Sequence, residues 1–300
     1  MTLTLEGAFT ALVTPFRDGA VDAAALAALV EFQIADGIAG VVPCGTTGES
    51  PTLSASEARE VIAVTVRATR GRVPVIAGTG TNATAETIAR TRAAKEAGAD
   101  AAMVVMPYYN KPTQRGLIAH VKAVHDASDL PLVLYNVPTR GTADLLAESV
   151  AEIARTCPRV VALKEATGNI LRAQQVVAML GDRITVLCGD DALTLGMMAC
   201  GARGVISVAS NVLPGAVSGV CKAFLRGDLK EARARHFALL GVYESMFVET
   251  NPGPVKAALA AMGRIAPEVR APLAWPVESS VAKVVAALRE AGVTLAERAS

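Results

Sequence analysis

The sequence predicts an α/β chain folded as a (β/α)8 TIM barrel with a helical C-terminal extension, on three observations. Short apolar runs rich in Val and Ile recur every twenty to thirty-odd residues: Ala8–Pro15, Gly40–Cys44, Val73–Gly78, Ala101–Met106, Leu132–Tyr135, Val160–Leu163, Ile184–Leu187 and Gly204–Val208. Helical patterns such as Ala23–Ala35, Ala85–Ala97 and Asp144–Arg155 fill the intervals. The chain has 300 residues and is 52% hydrophobic, enough for one large core.

The runs are near-continuously apolar rather than alternating, as strands covered on both faces must be. Eight such units in tandem favour a closed barrel, because a six-stranded open sheet would leave two without a role. Ser54-Ala55-Ser56-Glu57 has the capping-box spacing that opens a helix. The barrel is expected to close near Ser210, with its last helix ending about Arg226, so 1–226 is the barrel and 227–300 the extension. In the extension Ala232–Glu244, Pro254–Met262 and Ser280–Ala291 carry helical patterns, interrupted by Asn251-Pro252-Gly253-Pro254 and by Pro267, Pro272 and Pro276.

Composition removes whole classes of function. Disorder is excluded, and a formal net charge of +1 gives no bulk attraction to nucleic acid. The five scattered cysteines lack a C-x-x-C and read as buried thiols in a reducing cytoplasm. Met1 to Glu6 shows no basic or apolar leader, and the uncharged stretch Gly204–Cys221 contains Pro214 and Asn211, which argues against a membrane span. The expectation is a cytoplasmic protein. His120, His125 and His236 fall on helical segments without metal-ligand spacing, and neither a dinucleotide fingerprint nor a P-loop is present, so neither a metal nor a cofactor is expected. Asp190-Asp191 reads as a helix-start cap.

In such a barrel the active site gathers at the C-terminal strand ends. Gly45-Thr46-Thr47-Gly48-Glu49, Pro107-Tyr108-Tyr109-Asn110, Tyr135-Asn136-Val137-Pro138-Thr139-Arg140, Lys164-Glu165 and Gly189-Asp190-Asp191 all lie there. Alternation turns Val160, Ala162 and Lys164 to one face, with Val161 and Leu163 on the other. A lysine aimed into the barrel is desolvated, and neutral amine attacks a keto carbonyl to form an imine. The competing reading is a lysine salt-bridged to Glu165 or Asp190. Thr46, Tyr109 and Tyr135 could relay protons, the Gly45–Gly48 turn could hold a carboxylate, and Arg140 could meet a second one through its fork.

Gly45-Thr46-Thr47-Gly48-Glu49-Ser50, Pro107-Tyr108-Tyr109-Asn110-Lys111-Pro112, Tyr135-Asn136-Val137-Pro138, Lys164-Glu165-Ala166-Thr167-Gly168-Asn169, Gly189-Asp190-Asp191 and Gly204-Val205-Ile206-Ser207-Val208 resemble the 4-hydroxy-tetrahydrodipicolinate (dihydrodipicolinate) synthase family, in order and register. The likeness extends to Asn251-Pro252 and Pro254-Val255-Lys256. The resemblance implies a Schiff-base lyase that condenses pyruvate with L-aspartate 4-semialdehyde in the diaminopimelate route to lysine. It assigns the imine to Lys164 and proton transfer to Tyr135, with Thr46 and with Tyr109 reaching into a neighbouring subunit. Thr47, Gly189 and the backbone near Ile206 would bind pyruvate, and Arg140 the semialdehyde carboxylate. It also implies a homotetramer, a dimer of dimers.

The related N-acetylneuraminate lyases and 2-keto-3-deoxy sugar-acid aldolases share the lysine and tyrosine, but Thr46 and Arg140 side with the synthases. A keto-acid sensor that has lost turnover is the non-enzyme alternative. Two departures stand out: Gly141-Thr142 replaces the more usual Thr-Gly, and Met106 stands where Thr or Ser is common, which could alter the hydroxyl environment under the tyrosines. A lysine effector site would fall at Ser50, Asn82, Glu86 and Tyr108. With Ala55 and Ala58 lacking polar groups there, inhibition is expected to be weak or absent, with Glu86 holding any residual site.

Overall fold

The computed structural model describes residues 3–296; Met1, Thr2 and 297–300, the outer ends of the two predicted parts, lie outside the described residues. The chain opens with β1 (Gly7–Ala11), an unpredicted hairpin of β2 (Phe16–Arg17) and β3 (Ala20–Val21), and α1 (Ala23–Ala35). Then follow β4 (Gly40–Val42), α2 (Ala55–Thr69), β5 (Ile76–Gly78), α3 (Thr84–Glu96), β6 (Ala101–Val105) and α4 (Gln114–Ala127). Next come β7 (Leu132–Asn136), the single turn α5 (Pro138–Gly141), α6 (Ala147–Thr156), β8 (Val160–Glu165) and α7 (Ile170–Leu180). The barrel ends with β9 (Thr185–Cys188), α8 (Thr194–Ala199), β10 (Gly204–Ser207) and α9 (Pro214–Leu225).

Eight of these strands form one parallel sheet in the order β4-β1-β10-β9-β8-β7-β6-β5. A parallel bridge from Val41 to Val75 joins its two edges, so the sheet closes into the expected (β/α)8 barrel. Alternation sorts the side chains into two cores. Phe9, Ile76, Met103, Val133, Leu187 and Ile206 fill the interior, while Ala8, Val41, Val104, Leu134, Leu163 and Val205 pack against the helices. Each fully buried Val, Leu or Ile contributes about 1.5–3 kcal/mol of transfer free energy, so both layers stabilise the mouth they support.

One parity prediction needs correction. Leu132 pairs with Val160 but Val133 pairs with Ala162, so Val161 is the extra residue of a β-bulge. The bulge reverses the alternation below it: Val160 lies in the outer core and Val161 packs against the inner one. From Ala162 onward the predicted parity holds, and Lys164 points inward.

Local chemistry sets the helix starts. Ser54 accepts from the Glu57 amide at 3.2 Å while the Glu57 carboxylate accepts from the Ser54 amide at 2.9 Å, completing the predicted capping box of α2. Beyond the barrel lie α10 (Leu229–Ala238), α11 (Leu240–Ser245), α12 (Gly253–Ala261) and α13 (Glu278–Glu290). The predicted helix Ala232–Glu244 is two helices, because Leu239, at ψ −5°, ends one and starts the next. No described helix is long and apolar enough to cross a membrane.

Candidate active site

Lys164 ends β8, with Tyr135 of β7 and Leu187 of β9 as its neighbours across the sheet. Its side chain is buried, and Nζ lies 4.2 Å from the centroid of the Tyr135 ring. Neither predicted carboxylate reaches it. Glu165 accepts from the Thr167 amide at 2.7 Å, and burial pushes its carboxyl above the usual range. Asp190 caps the turn before α8 by accepting from the Ala192 amide at 3.0 Å, as expected of it. Among the described residues Lys164 has no ion-pair partner, so its nitrogen stands where a primary amine can add to a carbonyl.

The loop after β4 forms the next wall. Gly78 permits its approach: a Cβ there would stand 2.1 Å from the Cys44 carbonyl oxygen. Thr46 and Tyr135 line one small cavity with Ser50, Gly80 and Met103. Thr46, Ser50, Tyr108, Arg90 and Arg140 line an adjoining cleft of about 290 Å³. Gly189 donates its amide to the Glu165 carbonyl at 2.7 Å, tying the end of β9 to the strand that carries Lys164. Ile206 is fully buried in the interior core, one strand further on.

Tyr109 does not join the other predicted groups within this chain. It is 89% exposed, at φ +71°, and the Asn110 amide donates to the Tyr108 carbonyl at 2.9 Å across it. That is a γ-turn of the rare, strained positive-φ form, which displays the phenol outward. Met106 packs in the outer core, facing the helices. Thr142 takes φ +62°, a left-handed position that costs a β-branched residue energy and that the more usual Thr-Gly order gives to glycine.

Of the four effector positions, Ser50 and Tyr108 line the cleft, and the Asn82 carbonyl accepts from Asn110 Nδ2 at 2.8 Å. Glu86 is exposed, and its carboxylate is already engaged by Arg90 Nε at 2.8 Å. The Glu86/Arg90 spacing of four on α3 was visible in the sequence and could have flagged this pair.

Sequence reasoning missed the grip of the extension on these loops. Asn251 Nδ2 donates to Thr47 Oγ1 at 3.0 Å, and Arg140 Nη2 donates to the Asn251 carbonyl at 3.4 Å. Lys256 Nζ lies 2.6 Å from Glu49 Oε1, both side chains fully buried, and the Arg270 amide donates to Glu49 Oε2 at 2.9 Å. Burial pushes the Lys256 amine down, against the opposing pull of Glu49.

The remaining candidate groups are quiet. The five cysteines are free, and burial pushes the thiols of Cys44 and Cys221 up to about 12. Burial takes His120 down to about 4. Among the described residues no three His, Cys, Asp or Glu side chains gather as a metal site would need.

Fold and site together define a (β/α)8 barrel with a buried lysine at its mouth that has no ion-pair partner among the described residues. Residues 4–291 match the Dihydrodipicolinate synthetase family. The chain is 57% identical over 289 residues to the 4-hydroxy-tetrahydrodipicolinate synthase of Sorangium cellulosum (strain So ce56), covering 96% of each chain. It superposes on the crystal structure of dihydrodipicolinate synthase from Aquifex aeolicus with a TM-score of 0.96 and 45% identity, covering 98% of this chain and 100% of that one. The chloride-inhibited dihydrodipicolinate synthase from Acinetobacter baumannii, complexed with pyruvate, gives 0.95 at 42% identity, covering 97% and 100%. The chain belongs to the dihydrodipicolinate synthetase family.

Proposed function

We infer that the protein is a Schiff-base lyase that condenses pyruvate with L-aspartate 4-semialdehyde to 4-hydroxy-tetrahydrodipicolinate, in the diaminopimelate route to lysine. The observation that carries this is the buried Lys164 amine beside Tyr135, with no carboxylate among the described residues to hold it as a salt. The amine adds to the keto carbon and water leaves, giving an imine. Loss of a methyl proton gives an enamine, whose carbon attacks the semialdehyde's aldehyde. The semialdehyde's own amino group then displaces Lys164 and closes the ring.

Each step sets a task for a nearby group. Tyr135 carries protons to and from the reacting oxygen, in relay with Thr46 and with Tyr109 from a neighbouring subunit. Thr47 and the backbone at Gly189 and Ile206 hold pyruvate, and Arg140 takes the semialdehyde's carboxylate. The strained outward display of Tyr109 supports its service to another copy of the chain. The assembly is a dimer of dimers in the cytoplasm, in which that service takes place. On this reading the barrel at 1–226 carries the reacting groups, and the extension at 227–300 braces them.

Two experiments test it. Borohydride with pyruvate should leave a stable adduct, and a coupled assay should show turnover with aspartate semialdehyde. Adduct without turnover would point to a sensor, and preference for N-acetylneuraminate to a sialic acid lyase.

A further inference from the structure

Thr47 and Asn251 are buried and stand 204 positions apart in the chain, on the loop after β4 and in the extension. A hydroxyl has one proton and two lone pairs, whereas a carboxylate only accepts. The Asn251 amide N–H donates to Thr47 Oγ1 at 3.0 Å, using a lone pair and leaving the hydroxyl proton free. Among the described residues Thr47 Oγ1 has no other partner. Asn251 Oδ1 is buried without a partner. The reverse amide orientation would put an NH2 group there instead, and buried orphan donors are rarer than buried orphan carbonyls.

We propose that Asn251 is a positioning residue that fixes the hydrogen-bond polarity of Thr47, so that its hydroxyl meets substrate as a donor. This rests on the reading above that Thr47 holds the carboxylate of pyruvate. An amide at 251 presents Thr47 to an anion, whereas a carboxylate at 251 accepts the hydroxyl proton and disarms it. Asn251 also accepts from Arg140 through its main-chain carbonyl, so one residue of the extension touches the supports of both substrate carboxylates.

The test uses the full-length enzyme and the variants Thr47→Val, Asn251→Asp, Asn251→Ala and Thr47→Val/Asn251→Asp. Asn251→Asp keeps the shape and a hydrogen bond to Thr47, so a merely structural role would be preserved in it. The KM for pyruvate should rise about tenfold in Thr47→Val and similarly in Asn251→Asp, the worth of one hydrogen bond to a charged group. The double variant should be no worse than either single one. Asn251→Ala should raise the pyruvate KM by less, because the hydroxyl is then unbiased, and it carries the test if the aspartate variant does not fold. An unchanged pyruvate KM in Asn251→Asp, or in a folded Asn251→Ala, overturns the proposal. Multiplying effects in the double variant also overturn it, because the hydroxyl would still be donating. A silent Thr47→Val would instead overturn the placing of pyruvate on Thr47 itself.

Discussion

Lys164 and Lys256 are the two buried lysines among the described residues, and they differ in one respect that decides their chemistry. Each nitrogen lies 4.2 Å from an aromatic centroid, Tyr135 for Lys164 and Phe16 for Lys256. Only Lys256 has a carboxylate, Glu49 Oε1 at 2.6 Å. The aromatic face therefore does not separate the two roles, and the counter-ion does. A buried lysine held as a salt locks two distant chain segments together, and one without a salt partner keeps its nitrogen for an electrophile. Lys256 acts on the loop after β4, where Glu49 sits at φ +54°, a conformation that needs outside support.

The largest effect should come from Lys164→Ala, which removes the proposed nucleophile. It should abolish both the borohydride-trapped adduct and turnover while leaving the thermal midpoint close to the parent's, because polar strand ends at the mouth serve function more than stability. Lys256→Met should do the opposite. It strands Glu49 in the interior and should cost about 3–5 kcal/mol in denaturant unfolding, with the adduct on Lys164 still forming in the folded fraction. Adding Glu49→Gln should recover part of that loss, since the stranded charge is gone.

Arg140→Ala comes next. It should lower kcat/KM for the semialdehyde by about 2–5 kcal/mol in transition-state terms and spare pyruvate imine formation. Equal damage to both steps would make Arg140 a brace of the mouth rather than a reader of substrate. Thr142→Gly, beside it, should stabilise the fold by about 1 kcal/mol by relieving the left-handed backbone, as read by the denaturation midpoint. Arg90→Ala should change stability least, under about 0.5 kcal/mol, because its pair with Glu86 is partly exposed. It frees the Glu86 carboxylate, so lysine inhibition, expected to be weak or absent in the parent, should strengthen several-fold in a steady-state titration.

The barrel was legible because its signal is local. Each of the eight apolar runs overlaps a barrel strand, and α1 fills Ala23–Ala35 as predicted. The bulge at Val161 was not, since nothing in Val160-Val161-Ala162 marks which valine is extra; the register against Leu132 and Val133 decides it. The site divided in the same way. Lys164 and Tyr135 announce themselves at strand ends, and Thr46 and Arg140 in the segments just after them, where polar residues interrupt apolar runs. The pairings of Asn251 with Thr47 and of Lys256 with Glu49 do not, because each spans more than 200 positions and leaves no periodic trace. Tyr109 shows a third limit, since the positive φ that displays it outward follows from the turn it sits in and leaves no periodic trace in the sequence.

The most direct test of the contrast between the two lysines is to trap the wild-type enzyme with pyruvate and borohydride, digest it, and map the mass increase by peptide sequencing. The adduct should sit on Lys164 alone, with Lys256 unmodified. An adduct on Lys256, or on another lysine with Lys164 unmodified, would contradict the claim that the missing counter-ion marks the nucleophile.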